Sequence, residues 1–179
     1  MLFRSLSYSV IGWYREDSKD PVRKQRFAFF QNTVLQLDGN GSVECAAHGN
    51  PTEAISVSVW ARSATQKWND HGHLICKRDA FILHPAKDSK SIQFYVYLAN
   101  AGWSSVSFTP LEGFDLTQWH QYAATYDGKD LVLYIDGTEC ARQACSGKIQ
   151  NAIQELYIGH DPVQENKRYF KGQLAHACL

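Results

Sequence analysis

The sequence predicts an all-β protein, an antiparallel sandwich of two packed sheets, on three observations. Apolar and polar side chains alternate with a period of two in many short runs. Clusters of Gly, Asn, Asp and Pro separate those runs. No stretch carries a sustained helical stripe. The length of 179 residues allows one domain with a substantial core. Eighteen basic and eighteen acidic residues cancel, so no net field draws the chain onto nucleic acid or an anionic membrane. No apolar run approaches the ~20 residues that cross a bilayer. The opening MLFRSLSYSVIGWYRED is too polar in its middle for a secretory signal.

Taken in order, SYSVIGWY at 7–14 alternates like a strand, and RFAFF at 26–30 and TVLQL at 33–37 follow it. In ISVSVWA, Ile55, Val57 and Val59 share one face while Ser56, Ser58 and Trp60 share the other. HLICK at 73–77 comes next. SIQFYVYL then sets Ile92, Phe94, Val96 and Leu98 against Gln93, Tyr95 and Tyr97. SVSF at 105–108, QYAATY at 121–126, LVLYI at 131–135 and ELYIG at 155–159 complete the strands, and NAIQEL at 151–156 is read as a single helical turn.

The stretch WHQYAATYDGKDLVLYIDG, 119–137, contains two Asp-Gly pairs behind alternating runs. Tight hairpin turns require residues that accept positive φ, which Gly does freely and Asp with little cost. Asp127-Gly128 and Asp136-Gly137 therefore predict a three-strand meander with LVLYI in the middle, and Trp119 is expected in the core. Five cysteines, Cys45, Cys76, Cys140, Cys145 and Cys178, form no C-x-x-C pair. They read as free, partly buried thiols. A Cys140–Cys145 bridge is the alternative, and their odd number leaves at least one thiol free in either case.

Five segments carry a family resemblance: LQLDGNGSVEC at 35–45, ISVSVWAR at 55–62, QWHQYAATYDGKDLVLYIDG at 118–137, ELYIGHD at 155–161 and FKGQLAHACL at 170–179. In order and spacing they resemble the laminin-G-like, concanavalin A-like jelly-roll domains, with the W-H…Y-D-G…Y-I-D-G block the most specific part. The resemblance implies a jelly-roll sandwich over 33–179, with one flat or convex sheet, one concave sheet, and ligands met at the concave face or rim loops. Residues 1–32 stand outside it as an N-terminal extension, an edge strand or a docking arm; within it, REDSKDPVRKQR at 15–26 is a charged link. Many relatives of this kind are extracellular.

Many such relatives hold calcium, which takes six to eight oxygen ligands. Asp38, Asn40, Ser42 and Glu44 alternate through DGNGSVE, and Asp38, Asn40 and Glu44 are the candidate calcium ligands. The same alternation fits a polar strand face. The family's closing acidic pair falls here on Ala175 and His176, which weakens that site. Glucanases of this fold carry an E-x-D-x-E strand with carboxylates at a retaining separation, and no such stretch occurs in this chain. YFKGQ at 169–173 matches one of three lyase-type strands, without the other two. P-loop, G-x-G-x-x-G, H-E-x-x-H and G-x-S-x-G patterns are absent from the sequence. The chain therefore reads as a non-enzyme.

Binding has more candidates. KWNDHGH at 67–73 places Trp68, Asn69, Asp70, His71 and His73 in an expected loop, and NAGW at 100–103 places Trp103 in another. Aromatic rings beside Asn, Asp and His suit sugars, because a ring covers a sugar's C–H face while planar polar groups reach its hydroxyls. The bland reading makes both tryptophans loop plugs on the sandwich. His71 and His73 lack an evident third ligand for zinc. DPVQENKRY at 161–169 is a charged loop able to border a ligand. Two functions follow: a non-catalytic module that binds carbohydrate or a glycosylated surface, and a structural subunit that contacts other protein chains through the sandwich and its N-terminal arm.

Overall fold

Alternating runs become sheets only when their apolar faces meet. In the computed structural model, which describes residues 28–179 except 48, 70, 71 and 164–167, twelve antiparallel strands meet in two six-stranded sheets. The strand expected at 7–14, the charged link and most of the N-terminal extension lie outside the described residues, as do Asp70 and His71.

The first sheet runs β1 (Ala28–Asp38), β12 (Lys171–Cys178), β3 (Ile55–Ser63), β8 (His120–Tyr126), β9 (Asp130–Ile135) and β10 (Thr138–Ala144). The second runs β2 (Val43–Cys45), β11 (Leu156–Ile158), β4 (Ile75–Lys77), β5 (Phe81–Pro85), β6 (Ile92–Leu98) and β7 (Gly102–Phe108). Leu35, Val57, Val59, Tyr122, Tyr126, Leu133 and Leu174 from the first sheet meet Ile75, Phe81, Leu83, Phe94, Val96 and Ile158 from the second in one core. Burial of this kind contributes roughly 1.5–3 kcal/mol for each large side chain.

The predicted meander is present as β8–β9–β10. Its two turns use their aspartates differently. Asp136 (φ 51°) and Gly137 (φ 78°) both take left-handed backbone, as a two-residue hairpin turn requires. At the other turn only Gly128 does so. There Asp127 works through its carboxylate, which accepts from the Lys129 and Asp130 amides at 2.9 and 2.8 Å.

Several boundaries differ from the sequence reading. The runs at 26–30 and 33–37 belong to one strand, β1, whose register against β12 shifts between Phe29 and Val34. A division at 32/33 therefore falls inside a strand. FILHP was not read as a strand because all five of its residues are buried, which leaves no alternation to detect. NAIQEL forms no helical turn, and the described residues contain no helix. There Asn151 instead accepts from the Asn50 amide at 3.1 Å. Trp119 is half-buried on the outer face of the first sheet, not in the core. Its ring lies 5.4 Å under the Arg62 guanidinium, because Arg62 points outward between the inward Ala61 and Ser63.

Candidate functional site

The outer face of the second sheet carries the chemistry. Along β6 the inward residues Ile92, Phe94, Val96 and Leu98 are buried, and Gln93, Tyr95 and Tyr97 stand on the opposite face. Register places Tyr95 between Ile82 and Ser105, Gln93 between His84 and Ser107, and Tyr97 against Trp103. The rings touch. Trp103 meets Tyr97 edge-on with centroids 5.1 Å apart and Tyr95 at 6.2 Å, and Tyr95 stacks on His84 at 5.2 Å. Trp103 is 38% exposed. It lies on β7 rather than in the expected loop, because Gly102 takes left-handed backbone at the turn (φ 77°) and pairs directly with Leu98.

A polar cluster continues this track. His84 lies 4.7 Å from the His73 ring, and His73 Nε2 lies 3.7 Å from an oxygen of Asp161. The Asp161 side chain is fully buried. Arg78 grips it with both arms, Nε to Oδ1 at 2.9 Å and Nη2 to Oδ2 at 2.5 Å. Arg168 Nη1 donates to Oδ2 at 2.6 Å, and the Val163 amide donates to Oδ1 at 3.2 Å. Burial by itself raises this carboxyl's pKa; the donors from Arg78, Val163 and Arg168 outweigh it and hold the group at about 2. For His73, burial and the neighbouring His84 push the pKa well below the usual value. The imidazole is therefore neutral at pH 7, and its Nδ1 is buried without a hydrogen-bond partner. Beyond Asp161, His160 stacks on Tyr169 at 4.0 Å and meets Tyr157 edge-on.

His73, Cys76 and Asp161 bring ligand atoms within 4.8 Å of one another, the one such group among the described residues. It does not fit a metal. Both Asp161 oxygens already accept from guanidinium groups, so a divalent cation here faces two fixed positive charges. The trio does not fit a thiol nucleophile either. Cys76 is fully buried and its pKa is raised strongly by that burial, whereas a reactive cysteine is a thiolate within reach of its substrate.

The other expected site residues are dispersed. Trp68 belongs to the core at 1% exposure. It meets Tyr122 edge-on at 5.6 Å and donates its indole N–H to the Lys90 carbonyl at 3.2 Å. It presents no ring face to a ligand. Asn69 is a staple, donating to the Tyr169 carbonyl at 2.9 Å and accepting from the Lys171 amide at 3.0 Å. A Cβ on Gly72 would lie 2.4 Å from the Phe170 Cα, so Asn69 and Gly72 are both held against 169–171 by close approach. Among the described residues of the expected set, His73 and Trp103 reach the track. Asp38 leaves β1 on the outer face of the first sheet, beside the inward Leu37 and opposite Lys171. Glu44 leaves β2 on the outer face of the second, opposite Tyr157. The two carboxylates thus leave the sandwich from opposite outer faces. Asp38 Oδ1 instead accepts from the Asn40 amide at 3.0 Å.

A laminin-G-type profile described as the concanavalin A-like lectin/glucanases superfamily matches residues 37–177. The chain belongs to this superfamily. Among solved structures of the same sandwich, domains LG4-5 of the mouse laminin α1 chain superpose with a TM-score of 0.63 at 20% identity, over 86% of this chain and 40% of that one. This chain thus spans less than half of the laminin fragment. Domain 4 of AbnA, a GH43 extracellular arabinanase from Geobacillus stearothermophilus solved with arabinotriose, superposes at 0.62 with 14% identity, over 87% of this chain and 75% of that one. The native heptameric SAP-like pentraxin of Limulus polyphemus superposes at 0.59 with 13% identity, over 80% and 73%. No curated protein matches in sequence.

Within the superfamily's sandwich, all five cysteines here are free thiols. Cys45 packs against the core and its pKa is raised to about 11, by burial first and then by the charge of Glu44. No helix among the described residues is long and apolar enough to cross a membrane. Sequence reasoning did not single out Tyr95, Tyr97 and Arg78, although a signal for the tyrosines was present. Period two had already set Gln93, Tyr95 and Tyr97 on one face, and two tyrosines on the outward face of a strand constitute a platform.

Proposed function

We propose that this chain is a non-catalytic recognition module that binds carbohydrate, or a glycosylated surface, on the outer face of the second sheet. The observation that carries the reading is the contiguous ring track Tyr97–Trp103–Tyr95–His84 with Gln93 beside it. The rings of Trp103, Tyr97 and Tyr95 cover the C–H faces of successive sugar units, with the buried His84 backing Tyr95, and the Gln93 amide and tyrosine hydroxyls reach their hydroxyl groups. A same-fold neighbour solved with arabinotriose supports a saccharide as the ligand class. The enzymatic reading has less support. β12, which carries the YFKGQ match, belongs to the other sheet, with Phe170 in the core, and the one Cys–His–Asp group is buried.

The test is a broad glycan array followed by titration calorimetry, comparing wild type with Trp103→Ala. Saturable binding lost in the variant at an unchanged unfolding midpoint supports the reading. No binding to any glycan, with or without calcium, sinks it.

A second reading, assembly through protein contacts, rests on the other outer face. Val34, Ala175 and Trp60 lie directly opposite one another across β1, β12 and β3. Val34 and Trp60 are 49% and 37% exposed, an apolar row of the kind that marks interaction surfaces. Light scattering of wild type and Trp60→Ser checks it. A wild-type multimer that the substitution dissociates favours assembly.

A further inference from the structure

The ring track ends at a cluster that is not neutral. Asp161 is paired with two guanidinium groups, and two positive charges against one negative leave one in excess. His73 adds no charge at pH 7, because burial keeps it neutral. Asp161 takes the Nε and Nη2 of Arg78 and the Nη1 of Arg168. The Nη1 of Arg78 and the Nε and Nη2 of Arg168 are not used by it. The two side chains are 20% and 26% exposed, whereas their carboxylate partner is completely sequestered.

This arrangement has a physical consequence. A long arginine free in solution loses rotamer entropy when it binds an anion. Here a buried carboxylate already holds two of them in place, so little of that ordering remains to be done at the moment of binding. Guanidinium groups bind oxyanions such as carboxylate and sulfate through paired, bidentate hydrogen bonds. Of the acidic groups nearby, Asp79 accepts from the neutral Gln154 amide at 3.2 Å and keeps its charge, Glu155 acts on Lys77, and Glu44 stands at the far edge strand beyond Tyr157; what the site offers an anion is therefore its pre-ordered, unused guanidinium donors more than a net charge.

We infer that the recognised saccharide carries an anionic group, carboxylate or sulfate, which Arg78 and Arg168 bind while its sugar ring lies along the Tyr95–Trp103 part of the track. Asp161 is then a positioning residue for both arginines. The inference rests on the carbohydrate reading above and adds the charge of the ligand to it.

Two matched pairs of polymers test it: polygalacturonate with its carboxyl-reduced form, and dextran sulfate with dextran. Each pair differs in charge and not in backbone, and the two pairs separate carboxylate from sulfate. The proteins are wild type, Arg168→Gln, Arg168→Lys and Trp103→Ala, each checked for an unchanged unfolding midpoint. Expected is a preference of at least about tenfold for one charged polymer over its neutral partner, weakening as salt rises from 0.05 to ~0.5 M. Arg168→Gln loses that preference, Arg168→Lys keeps part of it, and Trp103→Ala weakens charged and neutral forms alike. If Arg168→Gln does not fold, the wild-type comparison within each pair and its salt dependence still decide. Equal binding to both members of a pair, abolished by Trp103→Ala, overturns the charge inference and leaves the carbohydrate reading standing. Anion binding that survives Arg168→Gln places the charge elsewhere and overturns the assignment. No binding to any polymer or to a glycan array overturns both.

Discussion

Arg78 holds Asp161 in a two-armed grip, 2.9 Å from Nε to Oδ1 and 2.5 Å from Nη2 to Oδ2, with the carboxylate wholly removed from water. The carboxylate thereby ties the turn after β4 to the segment after β11. A buried charge survives only when its partners compensate its lost hydration, and here Arg168 and the Val163 amide complete the compensation.

Replacing Asp161 by Asn removes the charge and leaves two arginines without their anion. Breaking a buried pair costs about 3–5 kcal/mol; because both arginines are partly exposed, the expected loss falls below that range, at roughly 2–3 kcal/mol. Urea unfolding at pH 7 measures it, and a loss below ~0.5 kcal/mol contradicts the role.

The same pair sets an acid limb. The folded-state pKa of Asp161, about 2, lies below the ordinary aspartate value of 3.8. Its stabilisation is therefore complete above pH 4 and is lost as pH falls towards 2. His73 acts at higher pH in the same sense. Its folded pKa is depressed, so the unfolded chain takes up a proton first, and stability declines as pH drops below 6.5. Unfolding midpoints from pH 8 to 2 are expected to fall in two stages. The upper stage shrinks in His73→Gln and the lower in Asp161→Asn.

Two tryptophans chosen by the same sequence argument are expected to respond oppositely. Trp68→Ala empties the core and costs about 3–5 kcal/mol. Trp103→Ala costs under ~1 kcal/mol and removes glycan binding. Thermal denaturation alongside calorimetric titration separates the two.

Gly72→Ala forces a Cβ to within 2.4 Å of the Phe170 Cα. Neither side of that contact is a flexible side chain, so Gly72 must lift away from the Tyr169–Phe170 backbone. The expected cost is roughly 2–3 kcal/mol, with faster proteolysis near residue 70. A midpoint equal to wild type argues against this docking.

Calcium is expected to leave the unfolding midpoint unchanged relative to chelator, because Asp38 and Glu44 face opposite sides of the sandwich. A midpoint that rises with calcium in the manner of a bound ligand points to oxygen ligands other than this pair.

Local pattern alone determined much of this protein. Alternation in 55–61 and 91–98 and the Asp-Gly turns of 119–137 specified strands, inward faces and the β8–β9–β10 meander, because a period of two and positive-φ turns are properties of neighbouring residues. The same pattern already put Tyr95 and Tyr97 on one face. Tertiary structure decided what a list of residues does not contain. Trp68 and Trp103 have similar local surroundings in the sequence, yet one is sealed by Tyr122 and Phe170 and the other stands on an open strand. Asp161 and Arg78 are 83 residues apart, and nothing near either announces the other. Burial and ion pairing depend on which strands become neighbours across the sandwich, and that is settled by packing of the whole core rather than by any short stretch of chain.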